Sequence, residues 1–159
     1  MIILSSFSHR SKANAGFTLI ELLVVATIIA LLTTIAVVSF TSTNQRARNG
    51  KRKADMEQTR AALELYKSDD SAGAGKYPAG NSYTNMTSTL NAANYLSAPL
   101  PTDPKNAAPY VYIYSAAASQ TSYCICADLE GVNQGNSADT TCGSIGSIGT
   151  GAYYCLVNP

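Results

Sequence analysis

The chain has no tryptophan, a single histidine and few charges for its 159 residues. Lys, Arg, Asp and Glu make up 13 % of it, where soluble domains carry roughly 25 %. The shortage is local, because after Asp70 the charged residues are Lys76, Asp103, Lys105, Asp128, Glu130 and Asp139 alone. One histidine, His9, leaves a Ser-His-Asp triad or a histidine-rich metal centre without its main component. A formal net charge of +1 excludes a strongly basic nucleic-acid binder. The cysteines have no evident base or activating partner, so redox or hydrolytic catalysis is not expected and the chain reads as noncatalytic.

What the sequence does have is a long hydrophobic run. Of residues 17–40, 18 of 24 are apolar and Glu21 is the one charge. The 19 uncharged residues 22–40, rising ~1.5 Å each as a helix, span about 28 Å, close to the ~30 Å hydrocarbon thickness of a bilayer. No polar stripe interrupts them, as one would in a core helix, so the run predicts a single membrane span. In the preceding arm, Arg10 and Lys12 are followed by Ala13, Asn14, Ala15 and Gly16. This inverts a secretory signal, in which the small-residue cut site follows the apolar segment. A cut after Gly16 removes the polar arm and keeps the helix. Glu21 then needs a use, since a carboxylate at the centre of a spanning helix costs ~2.5–3.5 kcal/mol. Its natural partner is the ammonium created at Phe17, in its own chain or a neighbour's. At ~4 Å and an effective dielectric of ~20 such a pair gains about 4 kcal/mol, enough to offset the cost and select register.

The segment Ala15-Gly16-Phe17-Thr18-Leu19-Ile20-Glu21-Leu22-Leu23-Val24-Val25 resembles the processing and methylation segment of type IV pilins and the related pseudopilins of type II secretion. The resemblance implies that a prepilin peptidase cleaves after Gly16 and methylates Phe17, and that Glu21 neutralises the amino terminus of an adjoining subunit during assembly. It also implies an assembly ATPase and a platform membrane protein as partners. A second, less specific likeness, in Lys76-Tyr77-Pro78, Tyr95-Leu96, Leu100-Pro101, Asp103-Pro104 and the tyrosine-rich stretch from Tyr110, is to the major pseudopilins. That branch is known for a calcium site in its C-terminal region. The loop here that offers suitable oxygen donors contains Asp128, Glu130, Asn133, Asn136 and Asp139, so Asp128, Glu130 and Asp139 are the calcium candidates, without an EF-hand pattern.

Orientation is contested within the sequence. Arg10 and Lys12 precede the span, whereas Arg46, Arg48, Lys51, Arg52 and Lys53 follow it, and the positive-inside rule alone puts the C-terminal part in the cytoplasm. Paired cysteines favour an oxidising compartment and the resembling family's peptidase acts from the cytoplasmic side, so the C-terminal part is expected outside, with the basic cluster contacting anionic head groups or acidic neighbours. Residues 41–70 carry seven cations and five anions and read as an amphipathic extension of the helix. Ala47, Gly50, Ala54, Ala61 and Leu65 form its docking seam, it ends near Lys67, and its charges lie on solvated faces.

From residue 71 the chain is rich in Gly, Ser, Thr, Asn, Pro and Tyr. A short helix is expected over 87–95, capped by Thr87, and strands over 109–115, 121–127 and 152–157. Tyr110, Tyr112 and Tyr114 lie on one face of the first strand and read as packing. Gly143 to Gly149 reads as a flexible connection. Cys124, Cys126, Cys142 and Cys155 predict two disulfides. Cys124 and Cys126 are badly placed to bond each other, so each reaches to Cys142 or Cys155. A zinc site made by all four thiolates competes with this, although the usual C-x-x-C spacing is missing.

The expected architecture is α+β and pilin-like, with a leader at 1–16, a membrane and filament-core helix at 17–40, an amphipathic extension at 41–70, and a disulfide-stapled head with an antiparallel sheet at 71–159. The expected function is that of a structural subunit, processed by the peptidase and assembled with like subunits into a pilus-like or pseudopilus filament. The alternative is a single-span, membrane-anchored binding module that does not polymerise.

Overall fold

The computed structural model describes residues 16–142, 149 and 151–158. The polar arm 1–15 and most of the glycine-rich connection after Cys142 lie outside the described residues. In order, the chain forms α1 (Leu19–Ser68), α2 (Tyr83–Ala92), β1 (Ile113–Ala116), β2 (Tyr123–Asp128) and β3 (Tyr153–Val157). This is an α+β arrangement of one long N-terminal helix with a small antiparallel sheet. The chain divides into two compact units, one ending at Phe40 and one starting at Thr41.

In the first unit every large apolar side chain named in the run is exposed, from 47 % at Val24 to 84 % at Phe17. Its polar atoms, in contrast, are satisfied within the helix. Thr27 and Thr34 donate to the carbonyls of Val24 and Leu31 at 2.8 and 2.7 Å, and Thr33 donates to that of Ile29 at 2.9 Å. Internal satisfaction of polar groups with apolar side chains turned outward is what a hydrocarbon solvent demands. Among the described residues α1 is the one helix long and apolar enough to cross a membrane.

In the second unit the sheet has the order β1-β2-β3, antiparallel throughout. Alternation along β2 sends Tyr123, Ile125 and Ala127 into a core with Met56, Ala62 and Leu63 of α1 and Tyr83, Met86 and Leu90 of α2, while Cys124 and Cys126 form a second cluster with Cys155 on the other face. The outer edge of β3 is closed by the side chain of Asn136, which accepts from the Cys155 N–H at 2.7 Å and donates to the Cys155 carbonyl at 2.9 Å. Unpaired strand edges invite further pairing, and this one is blunted by an amide standing in for a strand.

Three expectations need correction. Helix α2 starts at Tyr83 and is capped by Ser82, whose hydroxyl accepts from the Asn85 N–H, while Thr87 is buried and donates its hydroxyl to the Tyr83 carbonyl. Strand β1 begins at Ile113, four residues later than expected, because Tyr110 instead turns back on Ala107. The seam of α1 is the largest change. Ala47, Gly50, Ala54, Ala61 and Leu65 are all exposed, and the buried line is Asn49, Arg52, Asp55, Met56, Thr59, Ala62 and Leu63. The helical period is right and the phase is turned by about half a circle, at 100° per residue. The head offers α1 hydroxyls and carboxylates as well as hydrocarbon, so polar residues are the ones it covers.

Gly135 and Gly151 sit where the loop before Cys142 crosses β3. A Cβ at Gly135 would lie 2.0 Å from the Tyr153 carbonyl oxygen, and one at Gly151 1.9 Å from that of Ser137, whereas a Cβ at Gly50 meets nothing within 4 Å. Gly135→Ala and Gly151→Ala are therefore expected to destabilise the second unit by ~1–3 kcal/mol, and Gly50→Ala to stabilise α1 by ~0.5–1 kcal/mol. Denaturant unfolding of the three variants in detergent, followed by circular dichroism, checks the opposite signs.

Candidate processing and assembly site

Gly16, Phe17 and Thr18 precede the first helical residue and are exposed, so the Gly16–Phe17 bond lies in non-helical chain that a peptidase can take up. Thr18 is the N-cap of α1. The Glu21 Oε2 accepts from the Thr18 N–H and from the Thr18 hydroxyl, both at 3.0 Å, and the Thr18 Oγ1 accepts from the Glu21 N–H at 3.3 Å. These reciprocal bonds are a capping box, the T-x-x-E pattern that satisfies donors left over at a helix start. The partner expected for Glu21 is the Phe17 ammonium of its own chain or a neighbour's, and the structure adds Thr18 as a local one. The pattern Thr18-Leu19-Ile20-Glu21 ahead of an apolar run was the available signal. A carboxylate has about four lone-pair positions, so the cap leaves Glu21 able to accept a cation as well. It lies in the first turn, where the helix dipole favours negative charge.

In the second unit a charged cluster fastens the loops to α1. Arg52 is fully buried and bidentate on Asp103, with Nε to Oδ2 at 2.6 Å and Nη2 to Oδ1 at 3.1 Å, while its Nη1 donates at 2.9 Å to both Glu130 Oε1 and Asn49 Oδ1. Arg48, one turn earlier, grips both Glu130 oxygens at 2.6 Å, and Lys105 Nζ reaches Glu130 Oε2 at 3.0 Å. The Asn49 side chain bonds the Glu130 N–H and carbonyl at 2.9 and 2.8 Å. The Tyr110 ring lies 4.8 Å from the Arg52 guanidinium and 4.2 Å from the Lys105 ammonium. Hydrogen bonds from Arg48, then Lys105 and Arg52, hold the Glu130 carboxyl far below the usual carboxylate range against the opposing effect of burial. Burial raises the Asp103 carboxyl, but the Arg52 fork and the N–H groups of Lys105 and Asn106 outweigh it and leave it lowered.

Tyrosine hydroxyls complete the fastening. Tyr112 donates to Asp55 at 2.7 Å, Tyr154 to Glu57 at 2.9 Å, and Tyr77 and Tyr123 to Glu64 at 3.0 and 3.1 Å. Tyr95 donates to Asp69, whose carboxyl falls to about 2 through the Ser71 hydroxyl first and Tyr95 second. Tyr112 and Tyr114 are core residues and Tyr110 covers the ion cluster, so the expected single row is split.

The calcium candidates are not gathered around one point. Glu130 faces three cations, the wrong surroundings for a fourth. Asp128 is half-buried at the end of β2, with its carboxyl raised by burial. Asp139 turns to the Thr141 N–H and hydroxyl at 2.9 and 2.8 Å. Among the described residues the one cluster of three or more His, Cys, Asp or Glu within ligating reach is the four cysteines. They are paired as Cys124–Cys142 and Cys126–Cys155, with Cα atoms 5.9 and 4.2 Å apart.

Comparison with known proteins adds one finding. Residues 11–37 match the family described as the prokaryotic N-terminal methylation motif. The chain carries a prepilin-type signature. The matched stretch contains the Gly16–Phe17 bond, Thr18 and Glu21 and ends before the second unit, so it does not bear on the downstream likeness to major pseudopilins. No curated protein and no solved structure matches the chain. Together with the exposed apolar helix, the motif fits a membrane-anchored precursor, and the proteins of this motif are structural pilin subunits rather than enzymes.

Arg52→Ala leaves the buried Asp103 carboxylate without its guanidinium while Glu130 keeps Arg48 and Lys105, and is expected to cost ~3–5 kcal/mol. Both carboxyls bind protons less readily folded than unfolded, where their ordinary values are 4.5 for Glu130 and 3.8 for Asp103. The stability they contribute is therefore complete above about pH 4.5 and is lost as pH falls below it through their lowered folded values. Unfolding midpoints measured from pH 7 to pH 2 should fall steeply below about pH 4.5 in the wild type and less steeply in Arg52→Ala.

Proposed function

We propose that the chain is a noncatalytic structural subunit, inserted as a single-span precursor with its C-terminal unit outside, cut after Gly16, methylated at Phe17 and assembled with like subunits into a pilus-like or pseudopilus filament. One observation carries this reading, namely that the apolar side chains described in the first unit are exposed, beside a capped carboxylate with acceptor capacity to spare. Lipid covers such a surface before assembly. In a filament the same segments of neighbouring copies replace the lipid, and since helices in lipid gain little hydrophobic energy by associating, packing and a specific polar contact must select the arrangement. Glu21 supplies that contact to the Phe17 ammonium of an adjoining copy. Methylation keeps the amine charged, so the pair survives it.

Cleavage and methylation call for the prepilin peptidase, and extraction from the bilayer for a driven machine, by resemblance an ATPase with a platform membrane protein. The oxidised cysteines support an oxidising compartment for the second unit. Two of the five cations that contest this orientation, Arg48 and Arg52, are neutralised in the folded chain by Glu130 and Asp103.

Gly16→Val should block processing, so the variant should keep its arm and run larger than the mature protein on a denaturing gel. Glu21→Ala and Glu21→Gln should both be processed yet give few fibres by electron microscopy. The glutamine keeps the reach to the Thr18 N–H and loses only the charge. Normal fibres from Glu21→Gln would overturn the pairing role. A crosslinker beside position 21 that captures no second copy in cells making fibres would favour the solitary anchored module.

A further inference from the structure

The two disulfides lie side by side. Cys124 and Cys126 project from the same face of β2, and Cys155 stands opposite Cys126 in the register of β3. Cys142 closes the group, and all four sulfur atoms lie within 4.8 Å of one another. Cys126 and Cys155 are fully buried and Cys124 nearly so. A tetrathiolate zinc site, with Zn–S bonds of ~2.3 Å at tetrahedral angles, places its sulfurs about 3.8 Å apart. Opening each bridge and drawing the two pairs together therefore takes sulfur movements smaller than the group itself, with three ligands held on two hydrogen-bonded strands.

We infer that the four cysteines have a second state, in which the reduced chain holds one zinc-class cation by Cys124, Cys126, Cys142 and Cys155. The chemistry of the surroundings favours the metal over free thiolates. The carbonyl oxygens of Thr140 and Asp139 lie 3.5 Å from the sulfurs of Cys124 and Cys155. Such oxygens repel a bare thiolate, and a divalent cation cancels that repulsion. A route inward is present as well, in an open cavity of about 310 Å³ bordered, among the described residues, by Cys124, Cys142, Tyr123, Thr141 and Val157.

The two states exclude each other. The chain is made with thiols, so the metal state precedes the bridged one. Oxidation by a disulfide-class oxidant proceeds as two thiolates give two electrons to each oxidant molecule, forming one bridge and releasing the oxidant as two thiolates. Two oxidant molecules thus yield both bridges, four small thiolates and the free divalent cation. In this sequence the metal gathers all four sulfurs at about 3.8 Å from one another, within reach of the partners they later bond, and strand register rather than the metal sets which pairs form.

The test uses the full-length chain in detergent, reduced with a phosphine under nitrogen, freed of reductant and titrated with Co²⁺ and then Zn²⁺. One Co²⁺ per chain is expected, with the intense visible bands of tetrahedral cobalt and thiolate-to-cobalt charge transfer, both abolished by one equivalent of Zn²⁺. Adding a small-molecule disulfide should release the metal and restore both bridges by peptide mapping. Cys142→Ser should weaken cobalt binding by more than about tenfold, since loss of even an outer partner of a metal ligand costs 10–100-fold. Because free thiols on an unfolded chain also bind metal, protection of the second unit from trypsin is measured in parallel and should rise when Zn²⁺ is added. Pale octahedral spectra, a metal shared between two chains, or identical binding in urea with no gain of protection would each overturn the inference.

Discussion

A fully buried guanidinium holds the second unit in register. Arg52 of α1 contacts both acidic loops, through Asp103 and Glu130, and taking its charge out of water is tolerable only because its donors meet a fork of carboxylate oxygens and an amide. The loops it fastens are also packed, Leu100 against the core and Leu129 buried beside Glu130. Their register on the helix is set by the charged contacts. It depends on Asn49 and Arg48 presenting complementary groups on the same face, one turn away, since an Arg and the residues three and four before it are neighbours on a helix.

The tyrosines extend the same logic. A small sheet of three short strands needs a partner surface to bury one face, and in this chain the partner helix sets acids, Asp55, Glu57 and Glu64, among and beside the apolar Met56, Ala62 and Leu63. Tyrosine reconciles the two, since its ring fills the core while its hydroxyl reaches a carboxylate at the rim. Burial and the adjoining carboxylate both favour the neutral phenol. Tyr154, pushed up to about 12 by burial and Glu57, shows the sign of the effect. Each of these bonds needs a protonated phenol as donor, the form that burial favours.

This explains what the sequence disclosed and what it hid. The apolar helix, the strands and the end of α1 follow from local patterns and are readable to within a few residues. The docking face of α1 was not, because the helical period is visible in a sequence but its phase must be inferred from hydrophobicity, and here charge and tyrosine chemistry override it. The scarcity of charge after Asp70 held the missing clue. In a head so poor in charges, Asp103 and Glu130 stand out as groups that need cations, and Arg48 and Arg52 lie one turn apart on α1. An oxygen-rich loop suggests a calcium donor in Glu130, whereas in the fold its carboxylate meets cations of the chain itself, Arg48, Arg52 and Lys105. The connectivity of the cysteines was undetermined for a related reason, since pairing depends on strand register and register is not a local property.

Glu21 illustrates how one residue can serve two solvents. In the isolated chain the cap binds one of its oxygens to Thr18 and so removes part of the rotamer freedom that a later ion pair would otherwise have to remove, up to ~2 kcal/mol for a glutamate. The same bonds keep the carboxylate turned toward the helix start, where the dipole favours it and where, on the filament reading, the amine of another copy arrives. A carboxylate fixed this way is less costly to keep near hydrocarbon than a free one, because two donors already replace water. Thr18 thereby narrows the set of positions from which a cation can reach Glu21, and on the same filament reading that restriction would distinguish one register of apolar helices from the next.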